Sequence, residues 1–294
     1  MNSRRRALAT LLLAGALPGA RAEEANIPFV DAHVHLNDEA LQLQLMDRHG
    51  ATKAVVFWGG LSDNRTVVEA ARRHPGRFIP FASISPERTL YRPMWEADDT
   101  SLLHQLEALL ATGFYKGIGE ISVAHFASAG FGETDFSPMG ATTRGIMELA
   151  RKYQLPVLVH IEVTRLAELS QMLSGYADVH VIWAHGGYTP LFLAQRMLAN
   201  HPNLHYELSA RTWPRHPRSP DYTILRDGQK VWPEWLQLIE RQPHRFIIGT
   251  DASGRSAASD HMKFESVQNV LRQLGTEARA LVGQRNILKL VGEA

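Results

Sequence analysis

His33 and His35 stand two residues apart in the run Phe29-Val30-Asp31-Ala32-His33-Val34-His35-Leu36, which is apolar enough to form a strand. Alternate residues of a strand project to the same side, so both imidazoles leave on one face and suit a single cation. Ligand-type residues recur where later apolar runs end: Glu120 in Lys-Gly-Ile-Gly-Glu-Ile, His160 in Val-Leu-Val-His, His185 in Ile-Trp-Ala-His-Gly-Gly and Asp251 in Ile-Ile-Gly-Thr-Asp. Four imidazoles and two carboxylates gathered in one cavity would be costly to bury without a cation. The chain has no cysteine, which excludes disulfides and thiolate ligands. Any metal must be held by His, Asp and Glu. Charge balance leaves the number of ions open: two divalent ions with two carboxylates and a hydroxide, or one ion with three His and one Asp, each sum to about one positive charge.

Elements that could position these residues alternate along the chain. Strand-like runs are predicted at Phe29–Val34, Ala54–Trp58, Phe78–Ser83, Tyr115–Ile121, Pro156–His160, Val179–Ala184, Leu204–Leu208 and Phe246–Gly249, each followed by an amphipathic helix-like run. Eight such pairs predict a (β/α)₈ TIM barrel, an α/β fold of one domain. Its strands are continuous hydrophobic runs because both faces are buried. A doubly wound sheet would carry a glycine-rich phosphate loop after its first strand, and here that turn is Leu36-Asn37-Asp38. Helix-to-strand turns are short, whereas the strand-to-helix loops near 85–100, 122–142 and 209–230 are long. Long loops belong on the face where barrels bind substrates.

The 294 residues are 45% hydrophobic and 21% charged, with a formal net charge of +1. That balance argues against a nucleic-acid-coating surface. The first residues are of a different kind: Arg4-Arg5-Arg6, an apolar run from Ala7 to Leu17, then Ala20-Arg21-Ala22. Basic, apolar and small-residue segments in that order predict an export signal over residues 1–22, with the barrel domain spanning 23–294. Ser3-Arg4-Arg5 is similar to the twin-arginine signal, although the general secretory route fits too. The apolar run is too short for a stable membrane anchor, so a periplasmic location is expected.

Taken together, Asp-x-His-x-His on the first strand, Glu on the fourth, His on the fifth and sixth and Asp on the eighth resemble the amidohydrolase superfamily of metal-dependent hydrolases. The nearest branch is the amidohydrolase-related family, whose closing helix Arg285-Asn286-Ile287-Leu288-Lys289-Leu290 resembles, while Gly-Glu-Ile is similar to TatD-like hydrolases. The resemblance implies that His33, His35 and Asp251 hold one metal, that His160 and His185 hold or face a second, and that Glu120 takes the bridging position. In a mononuclear relative's arrangement, His160 would join the first ion and His185 would polarise the substrate. Zinc is the expected divalent ion. Asp251, beside the metal, can accept a proton from water and return it to a leaving group.

The expected function is therefore an exported metal-dependent hydrolase cleaving a C–O or C–N bond of a small substrate, anionic ones included. A decarboxylase using the same ligands is the alternative, and an inactive barrel serving as a binding protein would show a broken ligand set. A homo-oligomer is compatible with the sequence. Arg211 is the expected substrate-binding residue, ahead of Arg88, Arg92, Arg215 and Arg255, because Arg suits carboxylates and phosphates. Trp58, Trp95 and Trp213 lie near these arginines in sequence. His125, His216 and His261 fall on the functional face, where an exposed loop histidine is more often solvated than catalytic. Asp31 shares the face of His33 and His35, where it either orients a ligand from below or is an ordinary buried acid.

Overall fold

The computed structural model describes residues 25–59, 63–127 and 132–293; the expected signal segment lies outside them. Eight parallel strands follow one another around a barrel: β1 (Phe29–Leu36), β2 (Ala51–Trp58), β3 (Phe78–Ala82), β4 (Gly117–His125), β5 (Val157–Ile161), β6 (Val181–Trp183), β7 (Leu204–Glu207) and β8 (Phe246–Ile247). Backbone bonds from Ala32 N to Ile248 O (3.1 Å), His35 N to Ala252 O (2.9 Å) and Asp251 N to His33 O (2.9 Å) return the last strand to the first. The outer helices are Glu39–His49, Asn64–Arg73, Ser101–Leu110, Ala141–Tyr153, Leu166–Gly175, Leu191–Asn200, Pro233–Arg241 and Ala257–Gln273. Their starts are legible: Asp38, Asp63 and Ser256 each accept a first-turn backbone N–H, meeting a donor the helix cannot satisfy itself. Among the described residues, no helix is long and apolar enough to cross a membrane.

Two apolar layers result. One lies between the strands and the helices. The other fills the barrel with Val30, Ala32, Val55, Phe57, Ile79, Phe81, Leu158, Ile182 and Ile247. Ile287 and Val291 of the C-terminal segment join this inner layer, and Asn286 Nδ2 donates 2.8 Å bonds to the carbonyls of Pro243 and Phe246. The closing helix, Asn286–Leu290, thus plugs the amino-terminal end and leaves the carboxyl end of the strands open.

Two of the element ends that differ from expectation matter to the site. β4 continues four residues past Ile121 because Ala124 and His125 pair antiparallel with Asp135 and Thr134, which brings His125 into the barrel mouth. β8 stops at Ile247 instead of Gly249, and beyond it Asp251 takes a left-handed φ of 58° that lies outside the strand region. Gly119 on β4 is required by packing: a Cβ there would lie 2.4 Å from the Leu158 carbonyl oxygen on β5.

Candidate metal centre

All four strand-end imidazoles converge on the Glu120 carboxylate. Oε2 lies 3.4 Å from His33 Nε2 and 3.3 Å from His35 Nε2. Oε1 lies 3.1 Å from His160 Nδ1 and 3.8 Å from His185 Nε2. The two oxygens of one carboxylate therefore divide the rings into two pairs. Asp251 Oδ1 joins the first pair, 3.7 Å from His33 Nε2 and 3.5 Å from His35 Nε2.

Each ring is tied at its other nitrogen. His33 Nδ1 faces Glu207 Oε2 at 3.3 Å, His35 Nδ1 the Trp58 carbonyl at 3.3 Å, His160 Nε2 Glu162 Oε1 at 3.3 Å, and His185 Nδ1 the Ser209 carbonyl at 3.0 Å. An imidazole that donates through one nitrogen presents a lone pair on the other, and in every case that other nitrogen faces Glu120. His33 Nε2 is buried without a hydrogen-bond partner. Donor atoms of His33, His35 and Glu120, and of Glu120, His160 and His185, lie close enough together to hold an ion in each group. This donor set fits the divalent metal expected from the sequence.

The electrostatics agree. Burial penalises the charged form of His160, yet the carboxylates of Glu120 and Glu162 outweigh it and raise the ring's pKa to about 9. His33 is likewise raised despite burial, by Glu120 and Glu207. Burial opposes ionisation of Glu120, and His33, His160 and His35 overcome it to hold the carboxylate well below the usual range. Protons on these rings supply the positive charge that a metal would bring to the same place.

Glu162 and Glu207, which sequence reasoning passed over, complete the arrangement. Glu207 ends β7 and Glu162 directly follows β5, so the strand-end rule that found His160 would have found them too. Glu207 is fully buried and also accepts from His185 N (3.1 Å) and Ser209 N (2.6 Å). Asp31 proves to be structural: its carboxylate accepts from Thr250 N (2.9 Å), Thr250 Oγ1 (2.6 Å) and His33 N (3.2 Å). Burial pushes its pKa up to about 7. It pins the turn that carries Asp251 to β1. Asp31→Ala should lower unfolding stability by about 2–3 kcal/mol, the cost of leaving such buried donors unmet, as measured by denaturant melts.

A cavity of about 510 Å³ opens above these residues, and Trp58, Glu87, His125, Tyr188, Trp213, His216, Arg218, Arg255 and Lys263 contribute to its wall. His125 and His216 lie on the functional face as expected, buried in the wall of the mouth rather than solvated; burial lowers their pKa values to about 3 and about 4, so both are neutral. His261 instead meets His49, with 2.6 Å between Nδ1 and Nε2, at the contact of two outer helices. Arg211 is not among the lining residues. It is 1% exposed, donates to the Thr189 carbonyl and lies over Trp235, because its left-handed neighbour Ala210 turns the chain inward behind β7. Trp95 is also buried, bonded to the Ile84 carbonyl. Arg218, unremarked in the sequence, takes the cavity position.

A barrel that gathers histidines and carboxylates at the carboxyl ends of its strands is an enzyme scaffold, with its site built where barrel enzymes place theirs. Residues 30–292 match the amidohydrolase family model, and the chain belongs to that family, within the amidohydrolase superfamily of enzymes. No functionally curated protein matches. Among solved structures, an uncharacterized TIM-barrel protein from Bordetella bronchiseptica is similar at TM-score 0.63 and 12% identity, covering 91% of this chain and 99% of its own. A probable 2-pyrone-4,6-dicarboxylic acid hydrolase from Acinetobacter baumannii, with citric acid bound, is similar at TM-score 0.58 and 14% identity, with 90% and 100% covered. An amidohydrolase from Burkholderia multivorans with bound zinc gives TM-score 0.58 and 13% identity, with 90% and 99% covered.

Proposed function

We propose that the protein is a hydrolase holding two divalent ions, zinc foremost, and that it cleaves a C–O or C–N bond in a small substrate such as a lactone, ester or amide. The observation that carries this reading is the split of the four ring nitrogens between the two oxygens of Glu120. His33, His35 and Asp251 would hold one ion, His160 and His185 the other, with Glu120 between them. Bound there, divalent ions supply Lewis acidity that polarises a carbonyl and acidifies water. Asp251 is the most accessible carboxylate of the set, its side chain 21% exposed against 5% for Glu120. It accepts the proton of the attacking water and hands it to the leaving group. Tyr188 stacks on both His185 and Tyr222, with ring centroids 5.2 Å and 4.4 Å away, which braces His185 beside the reacting centre. The zinc of one similar structure and the pyrone dicarboxylate hydrolase activity in the name of another are in keeping with this reading.

Elemental analysis of the purified protein, followed by a screen of lactones, esters, amides, phosphoesters and aromatic carboxylates, tests it. The expected result is about two equivalents of metal and turnover of a lactone, ester or amide. Release of carbon dioxide from a carboxylate by a one-metal protein would replace this reading with a decarboxylase. We further propose export to the periplasm with removal of residues 1–22. Recovery of periplasmic protein with Met1 still attached would refute that processing.

A further inference from the structure

The anchors behind the four imidazoles are unequal. Those of His35 and His185 include backbone carbonyls, and that of His33 is a carboxylate enclosed in the barrel. Among the described residues, only His160 of the four is tied to a carboxylate that is itself held by a cavity-lining cation. Glu162 Oε1 accepts from Arg218 Nη1 at 2.9 Å. Arg218 Nη2 reaches the Phe126 carbonyl at 2.9 Å and lies 3.0 Å from His125 Nε2. Phe126 N closes the set by donating to Glu162 Oε1 at 3.0 Å. Arg218 belongs to the long loop after β7, so that loop reaches across the mouth to the ends of β4 and β5.

We propose that Glu162 and Arg218 are positioning residues for the second ion, a proposal that rests on the two-ion reading above. Glu162 accepts the Nε2 proton of His160 and so fixes the tautomer whose Nδ1 lone pair faces Glu120. Arg218 and the Phe126 amide hold Glu162 where it can do this. Without the arginine, the carboxylate would be free to turn toward water in the cavity and release the ring. Glu207 does the corresponding work for His33, but it also accepts from His185 N and from the Ser209 hydroxyl that meets His185 Nδ1, so it serves a ligand of each ion, whereas Glu162 meets only His160 of the four rings. Loss of Glu162 should weaken only the ion of His160 and His185, while loss of Glu207, which touches both His33 and His185, should weaken both.

Zinc titration of metal-depleted protein by calorimetry, with chelator competition to place the affinities, reads this without any substrate. Wild type should show two binding steps. In Glu162→Gln one step should weaken by about 10–100-fold, the usual effect of losing a hydrogen-bond partner behind a metal ligand, with the other unchanged; in Glu207→Gln both steps should weaken. Arg218→Gln should reproduce the Glu162→Gln pattern at smaller size and Arg218→Lys should recover part of it, which also decides the matter if Glu162→Gln folds poorly. Two wild-type steps with unchanged affinities in Glu162→Gln and Arg218→Gln would overturn the proposal alone. A single wild-type step would overturn the two-ion reading and this inference with it.

Discussion

Glu120→Gln should release one of two metal ions and reduce hydrolysis by about 10³-fold or more. Its two oxygens face all four imidazoles, one oxygen to each pair, so removing the charge leaves each pair with less to hold its ion. The amide keeps the size of the side chain but turns one of the two oxygens into a donor aimed at imidazole nitrogens. A rate loss of that size corresponds to about 4 kcal/mol, in line with removing a charge-stabilising element from a water-excluded site. Metal analysis of the wild type and variant, beside turnover of whichever substrate the screen identifies, checks both halves. Unchanged metal content with retained turnover would show that Glu120 is a bystander and that the protein is not a two-metal hydrolase.

Gly186→Ala should have the largest effect on stability, about 3 kcal/mol or more. The residue has a φ of 51°, and a Cβ would fall 1.8 Å from Cζ of the buried Tyr206 ring. Left-handed backbone costs an L residue roughly 1–2 kcal/mol, and overpacking a filled core costs about 1–3 kcal/mol more. For a chain of this size the melting temperature should fall by about 10 °C. His185 immediately precedes this glycine and is itself left-handed, with a φ of 54°, so metal binding should weaken in the same variant. Gly175→Ala is the control: nothing lies within 4 Å of its added Cβ, and its melting temperature should stay near that of the wild type. Equal melting temperatures for the two variants would contradict the packing described around β6 and β7.

The barrel and six of the residues at its centre were legible in the sequence because both are local matters. A strand buried on two faces must be apolar throughout, so each run announced itself, and the residue at its end was the first polar one free to face the mouth. Glu120, His160 and Asp251 were found this way without any knowledge of which strands were neighbours. Arg211 shows where that logic fails. A loop residue is positioned by the backbone turn that carries it, and the left-handed Ala210 sends Arg211 behind the strand while Arg218, seven residues on, crosses the mouth to Glu162. Asp31 could be placed on the right face of β1 but not assigned, because its partner Thr250 is 219 residues away. The pairing of rings across the two oxygens of Glu120 was likewise beyond the sequence. It depends on how far each strand rises and on which nitrogen each imidazole turns forward, and those are set by Glu162, Glu207, Ser209 and Trp58, contacts that exist only once the barrel has closed. The sequence alone determined the kinds of ligand and the end of the barrel they occupy; the tertiary structure decided their grouping, because grouping is a matter of distances between strands that the chain reaches only through its helices.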